Sequence, residues 1–283
     1  MTTRPFTLVF AGGGARGYAH VGALRALQHL GFAPAGVVGV SMGAVVAATY
    51  ALREDWYEAL LSIDLSAFPD PTSRRASAGK RSPGIRRALN YAHTAWNMVT
   101  GWGAPDDAAD AGRVVLDQLL GSQGLEEGRI PVVVCATDLR SGSRVELSSG
   151  RAATAVYASA ALAGILPPVE QDDRVLVDGV YADVAPVDLA RAMGAPVVIA
   201  IDPGQTSGAV SITNGLQAVM RAMEICHHTH AHLRMAQADL ALRPEFGRFI
   251  DVLDFRSRRE CVAAGVRVVK ANRKSLERIL RSD

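Results

Sequence analysis

Acidic side chains are missing from one long stretch: between Tyr18 and Arg53 there is neither Asp nor Glu, although the 283-residue chain carries 28 acids. That gap matters because Gly12, Gly14 and Gly17 fit the G-x-G-x-x-G spacing of a dinucleotide site. Such a site needs an acid about 20 positions on to hold a ribose. No Gly-Lys-Ser/Thr follows the glycines either, so a P-loop is excluded. Cysteines are few, odd in number and widely spaced (Cys135, Cys226, Cys261), which suits reduced thiols rather than a disulfide frame. No run reaches the roughly 18 to 20 apolar residues of a membrane-spanning helix, and the first residues lack the charged, apolar and small-residue order of a signal peptide. Cytoplasmic residence is therefore expected. A net charge of only +2 argues against nucleic acid as a partner.

What is present is a large apolar fraction, 49%, arranged as strand-like runs alternating with helical patterns. Thr7–Ala11, Gly36–Val40, Val175–Val177 and the nearly continuous Val/Ile/Ala runs at 131–136 and 196–201 read as strands, the last two as buried parallel ones. Val21, Leu24, Leu27 and Leu30 share the face of a helix after the first strand. Ser141-Gly142-Ser143 reads as a hairpin turn, and 258–280 as one amphipathic C-terminal helix. These alternations predict one α/β domain.

Two turns in this frame carry chemistry. Gly39-Val40-Ser41-Met42-Gly43 sits between a strand and a helix (Met42 to Leu52), the context in which a serine is forced outward as a nucleophile. Gly39 and Gly43 leave room for the backbone, and the N–H of Met42 is one of the unpaired donors at a helix start. The second turn, Gly12-Gly13-Gly14-Ala15-Arg16-Gly17, reads as a backbone nest for an oxyanion, with Arg16 adding positive charge.

Ser41 needs a base. Asp178, at the end of the apolar strand and followed by Gly179, is the first candidate. The other is a histidine among His227, His228, His230 and His232 in a Ser-Asp-His arrangement. In an α/β-hydrolase, however, several strands precede the nucleophile, and here only one strand fits before that of Ser41. A metal at the histidine cluster is disfavoured, because Glu224 lies outside any His-Glu-x-x-His pattern. Asp138 and Asp202 close two strands and are expected to cap turns.

Three ordered blocks, Gly12–Gly17, Gly39–Gly43 and Asp178-Gly179, together with the stretch 158–168 that contains Ser159, resemble the patatin-like phospholipases over about residues 5–205. The resemblance implies a central, mostly parallel sheet between helical layers, a Ser41–Asp178 dyad without histidine, and an oxyanion hole in the glycine-rich loop. It implies a phospholipid or other acyl-ester substrate, an acyl-enzyme intermediate and no cofactor. Val180 stands where the family usually has Gly or Ala, which puts the turn after Asp178 in question. An aspartate near its ordinary pKa is a weak base, so the apolar setting of Asp178 must raise it or align it.

Segment 66–112 reads as an insertion or lid, and 206–283 as a helical and strand extension packing on the same domain. Arg74, Arg75, Lys80, Arg81, Arg86 and Arg87, followed by Tyr91, Trp96 and Trp102, suit peripheral contact with an anionic membrane through about 74–102. A non-enzymatic regulatory protein on this fold is the remaining reading, since fold does not fix function.

Overall fold

A computed structural model describes residues 3–64, 106–205, 212–213 and 215–281. Most of the expected insertion, with its basic and aromatic residues, lies outside these. From Asp106 the chain is helical.

Eight strands form one sheet: β1 (Phe6–Phe10), β2 (Gly36–Val40), β3 (Val132–Asp138), β4 (Arg144–Leu147), β5 (Val169–Gln171), β6 (Arg174–Asp178), β7 (Val197–Ile201) and β8 (Leu240–Leu242). Their order is β5-β6-β3-β2-β1-β7-β8, with β4 also paired to β3. The pairings from β3 through β8 along this order are parallel, and β4, β5 and β6 add antiparallel pairings at one side. β1, β2, β3 and β7 are buried throughout. Their apolar runs follow from that, because a central parallel strand is covered on both faces. Alternate residues feed opposite layers: Leu8 and Phe10 enter the larger core, and Val9 and Ala11 the smaller one.

Among the described residues the helices are α1 (Tyr18–His29), α2 (Met42–Leu52), α3 (Trp56–Ser62), α4 (Asp106–Leu120), α5 (Ala152–Ala160), α6 (Val187–Ala192), α7 (Gly215–Met235), α8 (Arg258–Ala271) and α9 (Arg273–Leu280). Helix α8 lies directly against α1. A Cβ on Gly22 would stand 1.9 Å from the Val262 carbonyl oxygen, and one on Gly265 would stand 1.9 Å from that of Ala19. The two backbones meet because both contact positions are glycine. The single C-terminal helix expected from the apolar pattern is divided at Asn272. The Asn272 side-chain amide donates to the Val268 carbonyl at 2.8 Å, and its backbone carbonyl accepts the Leu276 N–H at 3.0 Å. One residue thus ends α8 and starts α9, as an amide that competes for backbone partners does.

Register assembles the centre of the molecule. Val40 pairs with Cys135 across β2 and β3, and Ala136 pairs with Asp178 across β3 and β6. Ser41, the next residue after Val40, is therefore level with Asp178, two strands away. The turn at 141–143 joins β3 to β4 as a hairpin.

Candidate active site

Ser41 caps the junction of β2 and α2 with φ 56° and ψ −126°, a conformation rare for a residue with a side chain. Its neighbours make that turn possible. A Cβ on Gly39 would come within 2.4 Å of the Gly43 carbonyl oxygen, and one on Gly43 within 2.2 Å of the Phe10 carbonyl oxygen. Strand, elbow and helix are packed backbone on backbone, and glycine is required at both positions.

The Ser41 hydroxyl donates to Asp178 Oδ2 at 2.7 Å, and both residues are buried. Burial pushes the Asp178 carboxyl up to about 7; the hydrogen bonds from the Val180 N–H and the Ser41 hydroxyl oppose that rise. The weak base of the sequence thus becomes one suited to neutral pH. Its position is fixed on several sides. Val180 N–H donates to Oδ1 (3.0 Å), the Thr137 hydroxyl donates to the Asp178 carbonyl (2.9 Å), and the Asp178 N–H donates to the Ala161 carbonyl (2.9 Å). Val180 does not disturb the turn: it is absent from the positive-φ residues, and its N–H holds the carboxylate.

The expected oxyanion residues gather beside Ser41, with Gly12, Gly13, Gly14, Arg16, Ser41, Met42 and Asp178 all on one cavity wall. Their N–H groups differ in use. Gly12 N–H donates to the Val184 carbonyl (3.1 Å) and Ala15 N–H to the Val252 carbonyl (2.7 Å). Ala15 was expected to supply a donor, and its commitment to Val252 removes it. The N–H groups of Gly13, Gly14 and Met42 have no hydrogen-bond partner among the described residues. Gly14 has φ 55°, and a Cβ there would stand 2.2 Å from the Val252 carbonyl oxygen, so glycine is required twice over. Gly179 is likewise confined, since a Cβ would reach the Cys135 carbonyl oxygen at 2.2 Å.

Two supports were not assigned from the sequence. Ser159 lies in the last turn of α5; its hydroxyl accepts the Ser41 N–H (2.9 Å) and donates to the Cys135 carbonyl (2.6 Å). Its presence in the stretch 158–168 was visible, but its partners are 118 and 24 residues away. His20 is fully buried, its Nε2–H donating to the Ala11 carbonyl at 2.8 Å. Burial lowers its pKa to about 4, so it is a neutral strut for the end of β1.

The cavity encloses about 400 Å³. Its lining is largely apolar, with Val45, Ile63, Leu116, Leu162, Ile165 and Leu166 among the apolar residues, and Arg16, Asp202, Arg221, Glu224, His227 and His228 among the polar ones. Asp202 accepts the Gly204 N–H at 2.8 Å, so it caps its turn and also borders the cavity. Asp138 lies away from the cavity and organises the β3–β4 turn, accepting from the N–H groups of Arg140, Ser141 and Val175 and from the Ser141 hydroxyl. Of the late histidines, His227 and His228 reach the cavity, and the His227 ring rests edge-on against Tyr181 with centroids 5.6 Å apart.

A strained serine on a strand-to-helix turn, hydrogen-bonded to a buried carboxylate, thus borders a largely apolar cavity at the centre of an α/β fold. The family model for patatin-like phospholipases matches residues 8–191. The chain belongs to the patatin-like phospholipase family. An uncharacterised NTE-family protein of Mycobacterium bovis is 32% identical over 199 residues, 69% of this chain and 48% of that protein. The patatin-like phospholipase domain-containing protein 7 of Rattus norvegicus is 30% identical over 206 residues, 72% of this chain and 14% of that protein. The chain thus spans about half the length of the bacterial relative and a small part of the mammalian one. Among solved structures, VipD of Legionella pneumophila shares the fold with a TM-score of 0.53 and 15% identity, over 97% of this chain and 67% of that one. Among the described residues, no helix is long and apolar enough to cross a membrane.

Proposed function

We propose that the protein is a serine lipid acyl hydrolase of the phospholipase A or esterase type, working through a Ser41–Asp178 dyad. The observation that carries this reading is the 2.7 Å hydrogen bond from the Ser41 hydroxyl to a carboxylate whose pKa lies near 7. As the Ser41 oxygen attacks an ester carbonyl carbon, its proton passes to Asp178 Oδ2. The Gly13, Gly14 and Met42 N–H groups are the donors for the developing oxyanion. Collapse of the tetrahedral intermediate expels the alcohol, which takes the proton from Asp178, and leaves Ser41 acylated. Asp178 then draws a proton from water as that water attacks the acyl-enzyme, and returns it to the Ser41 oxygen as the acyl bond breaks and the fatty acid departs. The largely apolar lining of the cavity suits the hydrocarbon chain of such a substrate.

His227 and His228 border the same cavity, so a histidine-assisted reading makes a distinct prediction: replacement of His227, His228, His230 and His232 together would stop turnover. The dyad reading expects turnover to survive. The primary test is intact mass after exposure to a fluorophosphonate probe. One adduct on the wild type and none on Ser41→Ala supports the hydrolase; no adduct on either overturns it.

A further inference from the structure

The oxyanion loop is held from beyond the region that matches the family, which ends at residue 191. Arg16, in the middle of that loop, has a side chain only 3% exposed, and its ion-pair partner is Glu224 on α7, with Arg16 Nη1 2.7 Å from Glu224 Oε1. Glu224 Oε2 in turn accepts from Arg221 Nη1 at 2.7 Å, one turn earlier on the same helix. Arg16 Nε and Nη1 and Glu224 Oε1 have no hydrogen-bond partner among the described residues, so what Glu224 gives this buried cation is charge compensation at 2.7 Å rather than an aligned hydrogen bond. Further along α7, Arg234 pairs with Asp183 at 2.6 Å and with Asp188, five and ten residues beyond Asp178. Asp183 also takes Arg144 of β4 at 2.8 Å. Helix α7 is therefore ionically fastened to both halves of the site, the oxyanion loop through Glu224 and the aspartate loop through Arg234.

These attachments have unequal consequences. Asp183 keeps Arg144 if Arg234 is lost, whereas Arg16 without Glu224 is a buried guanidinium with no ion-pair partner among the described residues. Its relief is to turn toward water. The side chain leaves from the short turn Gly14–Gly17, so its movement displaces the neighbouring Gly13 and Gly14 N–H groups. Displacements of about 1 Å at such donors cost on the order of a hundredfold in rate.

We propose that Glu224 is a positioning residue for the oxyanion loop, acting through Arg16, so that α7 is a working part of the active site. This role rests on the hydrolase reading above. The test measures the rate of fluorophosphonate labelling, and kcat and KM on a short neutral ester, for full-length wild type, Glu224→Gln, Glu224→Asp, Arg16→Met and the double variant Arg16→Met/Glu224→Gln. Melting temperature is recorded for each. Expected for Glu224→Gln is a labelling rate and kcat at least about tenfold lower, with KM within about twofold. Glu224→Asp recovers part of the loss, because a carboxylate remains within reach of Arg16. Arg16→Met and the double variant are equally slow, since Glu224 has nothing to position once Arg16 is gone.

Wild-type rates in Glu224→Gln overturn the proposal. So does a loss that vanishes once rates are corrected for the folded fraction, or a double variant whose losses simply multiply. If Glu224→Gln does not fold, Glu224→Asp against Arg16→Met decides by the same comparison. A wild type that takes no adduct is a different failure: it removes the hydrolase reading itself and this role with it.

Discussion

Ser159 receives the backbone N–H of Ser41 at 2.9 Å, tying the peptide of that residue to the last turn of α5. The same hydroxyl donates a hydrogen bond to the Cys135 carbonyl on β3. One side chain thus links helix, elbow and sheet at a residue held in the positive-φ region. Ser159→Ala leaves a buried donor and a buried acceptor without that partner, at a cost of about 1–3 kcal/mol. The expected outcome is a lower melting temperature together with slower fluorophosphonate labelling of Ser41. Labelling at the wild-type rate would show that the elbow holds its shape without this bridge.

Removing either member of the dyad should have a far larger effect. Ser41→Ala and Asp178→Asn are each expected to lower ester hydrolysis by at least about a thousandfold, and the double variant by little more, because the pair acts as a unit. Steady-state hydrolysis of a soluble ester checks this. Substantial activity in Asp178→Asn would assign the base to another group.

The acidity of Asp178 fixes the direction of the pH dependence. The base form is the unprotonated one, and burial places its pKa at about 7. In free enzyme, kcat/KM should therefore rise about tenfold per pH unit below neutrality and level off above it. A profile that is flat between pH 5 and 8 would contradict this assignment.

The same group makes stability fall as pH rises. In the unfolded chain Asp178 titrates at its ordinary value of 3.8, and in the fold at about 7. Between these values the folded protein holds a proton that the unfolded chain has lost, so folding weakens as pH climbs from about 4 to about 7. Asparagine carries no such dependence. Asp178→Asn should melt on the order of a few degrees above wild type at pH 8, with the gap closing toward pH 4. Equal melting curves at both pH values would show that the carboxylate is not strained by its burial.

Val180 and Gly12 are matched in shape. A Cβ on Gly12 would lie 2.3 Å from Val180 Cγ1, and the next neighbours stand at 3.7 Å. Gly12→Ala is expected to lose most activity and some stability through this single clash. Adding Val180→Ala should restore much of both, a coupling that a double-mutant cycle measures directly. Losses that add without coupling would place the strain elsewhere.

Much of the sheet was legible because its central strands are buried on both faces and so read as largely apolar runs, most plainly Val197–Ile201, with the intervening helix starting at Met42. The strained turn at Ser41 was legible for a related reason: Gly39 and Gly43 are local requirements of one sharp turn, written within five residues. The aspartate was recognisable from its block, but not its power as a base, which comes from apolar side chains converging from several elements. Asn272 shows the opposite limit. The apolar spacing of 258–280 is continuous and gives no sign of the break, because the break is made by one amide choosing backbone partners.

The sequence by itself determined the parallel α/β core, the strained serine turn, the glycine-rich loop and the order in which they occur, since each is specified by neighbours in the chain. The tertiary structure alone decided which N–H groups of the loop are already committed, that Ser159 and Thr137 brace the dyad, and that Glu224 reaches Arg16. Those facts depend on strand register and on a helix returning more than 200 residues later, and a hydrogen bond or ion pair between such distant residues leaves no periodic trace in the chain.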